Sequence, residues 1–281
     1  MTTHDYDTPR HRGIEEIPRR AFRVSALTAL ALLLASSAYA DEIKVMTSGA
    51  FTEAYQQLVQ QFQKTTPHTI TTVFGASMGG AQDSIPMRLN RGEPVDVVIV
   101  IESALEPLIK AGHVVHDDRV QLARSVIGVA VRKGTPKPDI SSVAALRHAL
   151  LQAKSIAYSA SASGTYVSTE LFQRLGIADQ VKGKSKRIES ERVGAVVARG
   201  DAEIGFQQVS ELLPIAGIDY VGPLPAAVQQ VSIVSAALAT KATARAAAKE
   251  LIDFLASPAA AATIHKTGLE PLAVLTPAPQ R

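Results

Sequence analysis

A chain of 281 residues without cysteine has no disulfide, catalytic thiol or thiolate metal site, and it is long enough to bury a core without such staples. Its formal charge of +3 at pH 7, from 29 Lys+Arg against 26 Asp+Glu, is too slight an excess for a nucleic-acid-binding face. Five of those cations and four of those acids lie in the first 40 residues, so the remainder carries only +2.

The first element in chain order is an export signal. Arg10, Arg12, Arg19, Arg20 and Arg23 precede an apolar run from Ser25 to Ala35, and Ala38-Tyr39-Ala40 supplies the small-x-small pattern of a signal peptidase site. The run is shorter than the roughly 20 residues that a spanning helix needs. Residues 1–40 are therefore expected to be a signal peptide cleaved after Ala40, leaving a periplasmic protein with no stable membrane insertion. Arg19-Arg20-Ala21-Phe22-Arg23 resembles a twin-arginine signal, although Pro18 stands where that pattern has Ser or Thr. Both that route and the general secretory one stay open.

From Asp41 the chain alternates short β-rich runs with longer amphipathic ones, the pattern of an α/β architecture. Strands are predicted at 43–46, 69–74 and 95–101, the last an almost unbroken apolar run that implies cover on both faces. Between them fall helices over 51–64, over 81–91 with a disturbance at Pro86, and over 104–111 closed by Gly112. A strand at 126–132 and a helix at 143–151 open a second lobe. That lobe continues with a strand at 155–158, helices at 166–175 and 192–199, and strands at 203–207 and 219–221. A strand at 231–238 returns to the first lobe, which helices at 242–256 and 259–266 close. The division reads as 41–124 plus 229–281 for lobe 1 and 125–228 for lobe 2, with two crossovers forming a hinge.

Open α/β sheets bind ligands beyond the carboxyl ends of their strands, and four loops there carry the chemistry. They are 47–50, 75–80, 159–165 and 189–193, three of them rich in Ser and Gly and followed by a helix. Small residues let the backbone approach a ligand, hydroxyls donate, and free N–H groups at helix starts attract anions. Gly75-Ala76-Ser77-Met78-Gly79 also reads as the G-x-S-x-G elbow of a hydrolase. Too few strands precede it for that fold, and His265 and Asp253, which could be imagined as triad partners, sit on predicted Ala-rich helices. Gly-Lys-[Ser/Thr] is missing, so the loop is no P-loop.

Across the mature chain the sequence resembles the periplasmic molybdate-binding proteins of ABC transporters. The resemblance is carried by Val45-Met46-Thr47-Ser48-Gly49-Ala50-Phe51, Phe74-Gly75-Ala76-Ser77, Gly92-Glu93-Pro94-Val95-Asp96-Val97-Val98, Ser163-Gly164-Thr165-Tyr166, Arg199-Gly200-Asp201-Ala202-Glu203-Ile204-Gly205 and Phe254-Leu255-Ala256-Ser257-Pro258. It implies a type II periplasmic binding protein fold: two α/β lobes, a central ligand cleft and two crossover hinge strands. It also implies an anion held without metal or cofactor, and an ABC transporter permease as partner.

The implied ligand contacts are Ser77 with Met78 beside it, Ser163 with Gly164, and Ser190. The family's first-loop serine falls at Ala50, with Ser48 nearby, and its tyrosine falls near Gln208. Two oxyanion donors are thus changed, and a buried anion short of donors is costly. The stretch between Phe74 and Gly92 is also longer than the family's and brings Gln82, Asp83, Ser84, Pro86 and Arg88 to the cleft, Arg88 being able to clamp a carboxylate.

This variant pattern resembles the branch of the family that interconverts cis- and trans-aconitate, which implies a tricarboxylate ligand and an allylic proton shift. Such chemistry needs donors over the carboxylates and one acid/base group. Asp83, Tyr166 and Glu191 are open candidates for that group. His68, His113, His116 and His148 receive no role. A transport receptor for molybdate or another small anion is the alternative, and the altered ligand positions favour the isomerase.

Overall fold

The computed structural model describes residues 1–3 and 40–272, so the signal-peptide reading lies outside the described residues. From Ala40 the chain forms one unit built on a ten-stranded mixed sheet. Strand β1 (Glu42–Thr47) lies between β2 (Thr69–Phe74) and β3 (Val97–Ile101), parallel to both. All five residues of β3 are buried, as its unbroken Val-Val-Ile-Val-Ile demands. Helix α1 (Thr52–Thr65) turns Ala54, Tyr55, Leu58 and Phe62 into the core and its Gln and Lys side chains outward.

Pro86 is not a disturbance within a helix but part of a helix start. Helix α2 spans only Ile85–Asn90, with the proline in its first turn, where a missing N–H costs nothing. The stretch before it is loop. Helix α3 (Glu102–Lys110) ends before Gly112, whose φ of +74° is the left-handed conformation that glycine tolerates.

Strand β4 (Val114–Arg132) is much longer than the 126–132 read from the sequence. Its first half carries His116, Asp117, Asp118 and Arg119 and a break in register between Val114 and Arg119, which hide the apolar alternation of a strand. This strand joins the two halves of the sheet. Up to Val126 it pairs antiparallel with β9 (Val231–Ala239), and from Ile127 onward with β7 (Ile204–Gln208) and β8 (Ile218–Pro223). The full order is β2-β1-β3-β9-β4-β7-β5-β6, with β8 and the two-residue β10 (Glu270–Pro271) also attached to β4.

In the second lobe, helix α4 (Val143–Gln152) leads into β5 (Ile156–Ser159), which runs parallel to β7 and β6 (Ser185–Ile188). The helix after β5 starts earlier than the predicted 166. Helix α5 (Ala162–Tyr166) passes through a π-helical turn, Val167–Leu171, into α6 (Phe172–Arg174). Helix α7 (Ala178–Lys182) and strand β6 escaped the sequence reading, β6 because Lys186 and Arg187 face solvent. Helices α8 (Val193–Arg199) and α9 (Val209–Leu212) follow β6 and β7, and α10 (Arg245–Leu255) with α11 (Pro258–Lys266) closes the first lobe.

Asp96, at the entry to β3, ties three segments of the first lobe together. Its buried carboxylate accepts from the backbone N–H groups of Lys44 at 2.8 Å, Thr243 at 2.7 Å and Ala244 at 3.1 Å. Charged acceptors of this kind are worth about twice a neutral one, and they hold β1, β3 and α10 in fixed relation beneath the loops of the site.

Candidate functional site

The carboxyl ends of β1, β2, β5, β6 and β7 open onto one cavity of about 340 Å³, toward the lower end of the roughly 300–1,000 Å³ usual for small-molecule sites. From the first loop come Ser48, Gly49 and Ala50, with Thr52 and Gln56 from the start of α1. Ser48 is 3% exposed, yet its hydroxyl has no hydrogen-bond partner. Among the described residues no group bonds it, and desolvating a hydroxyl without compensation costs free energy.

The second loop turns tightly enough to aim Ser77 inward. Gly75 donates to the Thr47 carbonyl at 3.2 Å, and the Ile85 N–H returns to the Ala76 carbonyl at 3.0 Å. A Cβ on Gly75 would lie 2.3 Å from the Asp83 carbonyl oxygen, so the fold there requires glycine. Opposite, Ser159 Oγ lies 2.8 Å from Ser161 Oγ and 3.1 Å from Ser163 Oγ, a chain of three hydroxyls at the start of α5.

The fourth loop brings Glu189, Ser190, Glu191 and Arg192 to the wall, and β7 with the first turn of α9 brings Gln207, Gln208 and Glu211. Arg192 is the one cationic side chain of the lining among the described residues; both of its terminal nitrogens donate to Glu53 Oε1 at 3.1 Å. Glu211 is 7% exposed, and Gln207 Nε2 donates to its Oε1 at 3.0 Å. Burial pushes the Glu211 carboxyl up to about 7, against the smaller opposing pull of Arg192 and of the Gln207 amide. Three hydrogen bonds cross from one lobe to the other around the cavity: Arg192 to Glu53, Ser190 Oγ to Asp83 Oδ1 at 3.3 Å, and Ser210 Oγ to the Ala50 carbonyl at 2.7 Å.

The chain has known relatives. A family model described as bacterial extracellular solute-binding protein matches residues 43–270. This chain belongs to that family. The solute-binding protein is 41% identical over 255 residues, covering 89% of its own length and 97% of the relative's, to an aconitate isomerase of a Pseudomonas species. It is 28% identical over 246 residues, covering 84% and 92%, to a molybdate-binding protein of Azotobacter vinelandii. The solved structure of the periplasmic molybdate-binding protein of Azotobacter vinelandii matches with a TM-score of 0.61 at 22% identity, covering 83% of this chain and 99% of that one. The fold is thus the two-lobed α/β fold of the periplasmic binding proteins.

Within this solute-binding protein, Ser48, Ala50, Ser77, Asp83, Ser163, Ser190, Glu191 and Gln208 all line the one cavity. Their side chains differ in what is left to offer. Gln208 is spent at the crossover, its Oε1 accepting from Ser125 Oγ at 2.7 Å and its Nε2 donating to Ser232 Oγ at 3.4 Å. Glu191 points both oxygens at Arg199, at 2.8 and 3.0 Å, and that guanidinium holds its carboxyl below the ordinary range.

Several residues that the sequence brought to the cleft are not on its wall: Gln82, Ser84 and Pro86 of the longer loop, and with them Arg88, Tyr166, Met78 and Gly164. Arg88 donates through Nη1 to Glu93 at 2.9 Å and through Nε to the Asp83 carbonyl at 3.1 Å, because α2 begins after the loop and carries it to the outer side. Tyr166 is buried in the second lobe, where its hydroxyl donates to the Val228 carbonyl at 2.6 Å and accepts from Arg174 at 3.0 Å. Met78 packs against the apolar cluster of Met46, Ile85 and Leu89. Gly164 lies behind the serines, packed so closely on the Ser159 backbone that it serves for space rather than contact.

Gln56, Gln207 and Glu211 lie outside the four loops marked in the sequence, whereas Arg192 falls within the 189–193 loop without standing out there. Gln207 and Gln208 end an otherwise apolar strand, a signal that could have marked the fifth loop. Nothing in the sequence sets Glu211 apart, because its burial depends on Gly49, from a distant segment of the chain.

Proposed function

We propose that this protein interconverts cis- and trans-aconitate in its interlobe cavity. The 41% identity to an aconitate isomerase over nearly the whole of both chains carries the reading. The cavity supports it: Ser48, Ser77 and the Ser159–Ser161–Ser163 chain supply neutral donors for carboxylates, and Arg192 adds a cation. The reaction moves one proton from the methylene carbon to the vinylic carbon, with charge passing through a carboxylate. Donors fixed in a cavity stabilise that charge without reorganising.

The remaining expectations belong to the same proposal. Residues 1–40 direct the chain to the periplasm and are removed after Ala40. Lobes formed by 41–124 plus 229–281 and by 125–228 close over the ligand, pivoting on β4 near Val126 and on the segment between β8 and β9. The contact residues are Ser48, Ser77, Ser163 and Ser190, with no metal or cofactor. A second reading, a receptor that delivers molybdate or another small anion to an ABC transporter permease, is favoured by the molybdate-binding relatives and by the hydroxyl-rich wall.

Purified protein incubated with trans-aconitate is expected to produce cis-aconitate, followed by chromatography, and to bind trans-aconitate more tightly than molybdate by calorimetry. Sub-micromolar molybdate binding with no turnover of aconitate would overturn the isomerase and leave the receptor.

Ser48→Ala separates binding from folding. Removing an unpartnered buried hydroxyl is expected to leave the free protein as stable as before or slightly more so, while trans-aconitate affinity falls about tenfold, the equivalent of a lost hydrogen bond of roughly 1–1.5 kcal/mol. Equal affinity in calorimetry would remove Ser48 from the contacts.

A further inference from the structure

We infer that Glu211 is the group that takes the proton from one carbon of the ligand and returns it to the other, an inference that rests on the isomerase reading. The reaction needs an acid/base group on the cavity wall that is shielded from water and not already neutralised by a partner. Asp83 is only half-buried and accepts from Ser190. Glu189 and Glu191 are exposed and paired with Arg187 at 3.3 Å and with Arg199. Tyr166 spends its hydroxyl away from the cavity.

Among the described residues, Glu211 alone of the carboxyl groups of the lining is buried without a cation bonded to it. Its position is built by both lobes. It leaves the first turn of α9 directly beneath the end of β7, and its Oε1 crosses to the first loop. There Gly49 makes room: a Cβ on Gly49 would lie 1.9 Å from that oxygen. Gln207 fixes Oε1, which leaves Oε2 with no side-chain donor among the described residues.

The charged groups facing it are Arg192, from the start of α8, and behind that guanidinium Glu53, from α1. Gln207 and the Gln208 backbone amide are its other polar neighbours. With its carboxyl pushed up to about 7 by burial, Glu211 holds and releases a proton at nearly equal cost near neutral pH.

The step balances within the ligand and this one side chain. The methylene C–H bond breaks, and its proton forms an O–H bond on the Glu211 carboxylate. The released electron pair becomes the new C=C bond, while the old π pair moves to the former vinylic carbon and is shared with its carboxylate. That carbon then takes the proton back from Glu211. The double bond has moved by one carbon, the molecule is again aconitate with its geometry reset, and Glu211 is a carboxylate as at the start.

The test uses the exported protein and trans-aconitate. Glu211→Gln is expected to lower kcat at least 100-fold while the dissociation constant for trans-aconitate stays within about fivefold. In the unmodified protein kcat should rise about tenfold per pH unit on the acid side and level off above an apparent pKa of about 7 or higher. Should Glu211→Gln keep more than a tenth of the parent kcat, or should the unmodified kcat be flat between about pH 5 and 9, Glu211 is not the shuttle. The pH profile decides the matter even where the variant does not fold. Parent protein with no turnover at all would instead sink the isomerase reading on which the inference stands.

Discussion

Gly164→Ala is expected to cost about 3 kcal/mol of stability or more, read from denaturant titration, and to abolish ligand binding in whatever folded fraction remains. A Cβ at this position would lie 1.6 Å from the Ser159 carbonyl oxygen, 2.6 Å from the Ser159 carbonyl carbon and 2.8 Å from its nitrogen. All three are backbone atoms, so no side-chain rotation relieves the clash. Ser159 cannot retreat, because β5 is held between β6 and β7 and the next residue, Ala160, donates to the Ile188 carbonyl at 2.8 Å. Overpacking of this kind costs about 1–3 kcal/mol where neighbours yield and more where they do not. The alternative is for the start of α5 to move away, which separates Ser159 from Ser161 and Ser163 and breaks up the hydroxyl chain. Gly183→Ala is the control: a Cβ there meets nothing within 4 Å and its φ of −72° suits any residue. That substitution should be neutral or slightly stabilising, and equal losses in the two variants would show that the close approach at Gly164 is not what limits stability.

The same two glycines show what the sequence could and could not disclose. Gly164 was legible as part of a small-residue loop after a strand, and the resemblance put it beside Ser163. Its role as a spacer behind the serines needed the position of Ser159. The strand and helix order was readable from periodicity wherever one face is buried: β2, β3, α1, α4, α8 and β9 lie within one or two residues of their predicted ends. It failed where charge masks a strand, as in the first half of β4 and in β6, because solvent-facing residues erase the apolar alternation. The loops of the cavity were legible because Ser and Gly cluster at strand ends. Arg88 departs from its expected place because a longer loop does not by itself turn a side chain inward, and Glu93 and the Asp83 carbonyl hold it outside. Glu211 was invisible for the opposite reason. A carboxyl on a short helix reads as a surface acid, and only the meeting of α9 with Gly49 removes it from water.

That burial gives Glu211→Gln a second and independent signature, in stability rather than turnover. In the unfolded chain the carboxyl titrates near its ordinary 4.5, and in the folded protein it is pushed up to about 7 by desolvation. Below about pH 4.5 both states hold the proton and the group costs nothing. As pH rises from there, the unfolded chain releases the proton while the folded protein keeps it, so the folded state loses ground until pH passes about 7. Above that both are ionised and the loss is complete, about 3 kcal/mol for a shift of this size at 1.36 kcal/mol per pKa unit. Glutamine carries no such penalty and fills nearly the same volume beside Gln207 and Gly49. Urea unfolding of the free protein should therefore show parent and variant equally stable near pH 4.5, and the variant ahead by about 3 kcal/mol at pH 8. A penalty of this kind, borne by the free protein at the pH where it works, is what a proton-transfer group buried in a cavity entails. If the two proteins keep the same difference at both pH values, the carboxyl is not desolvated, and a shuttle that depends on its holding a proton near neutrality loses its physical basis.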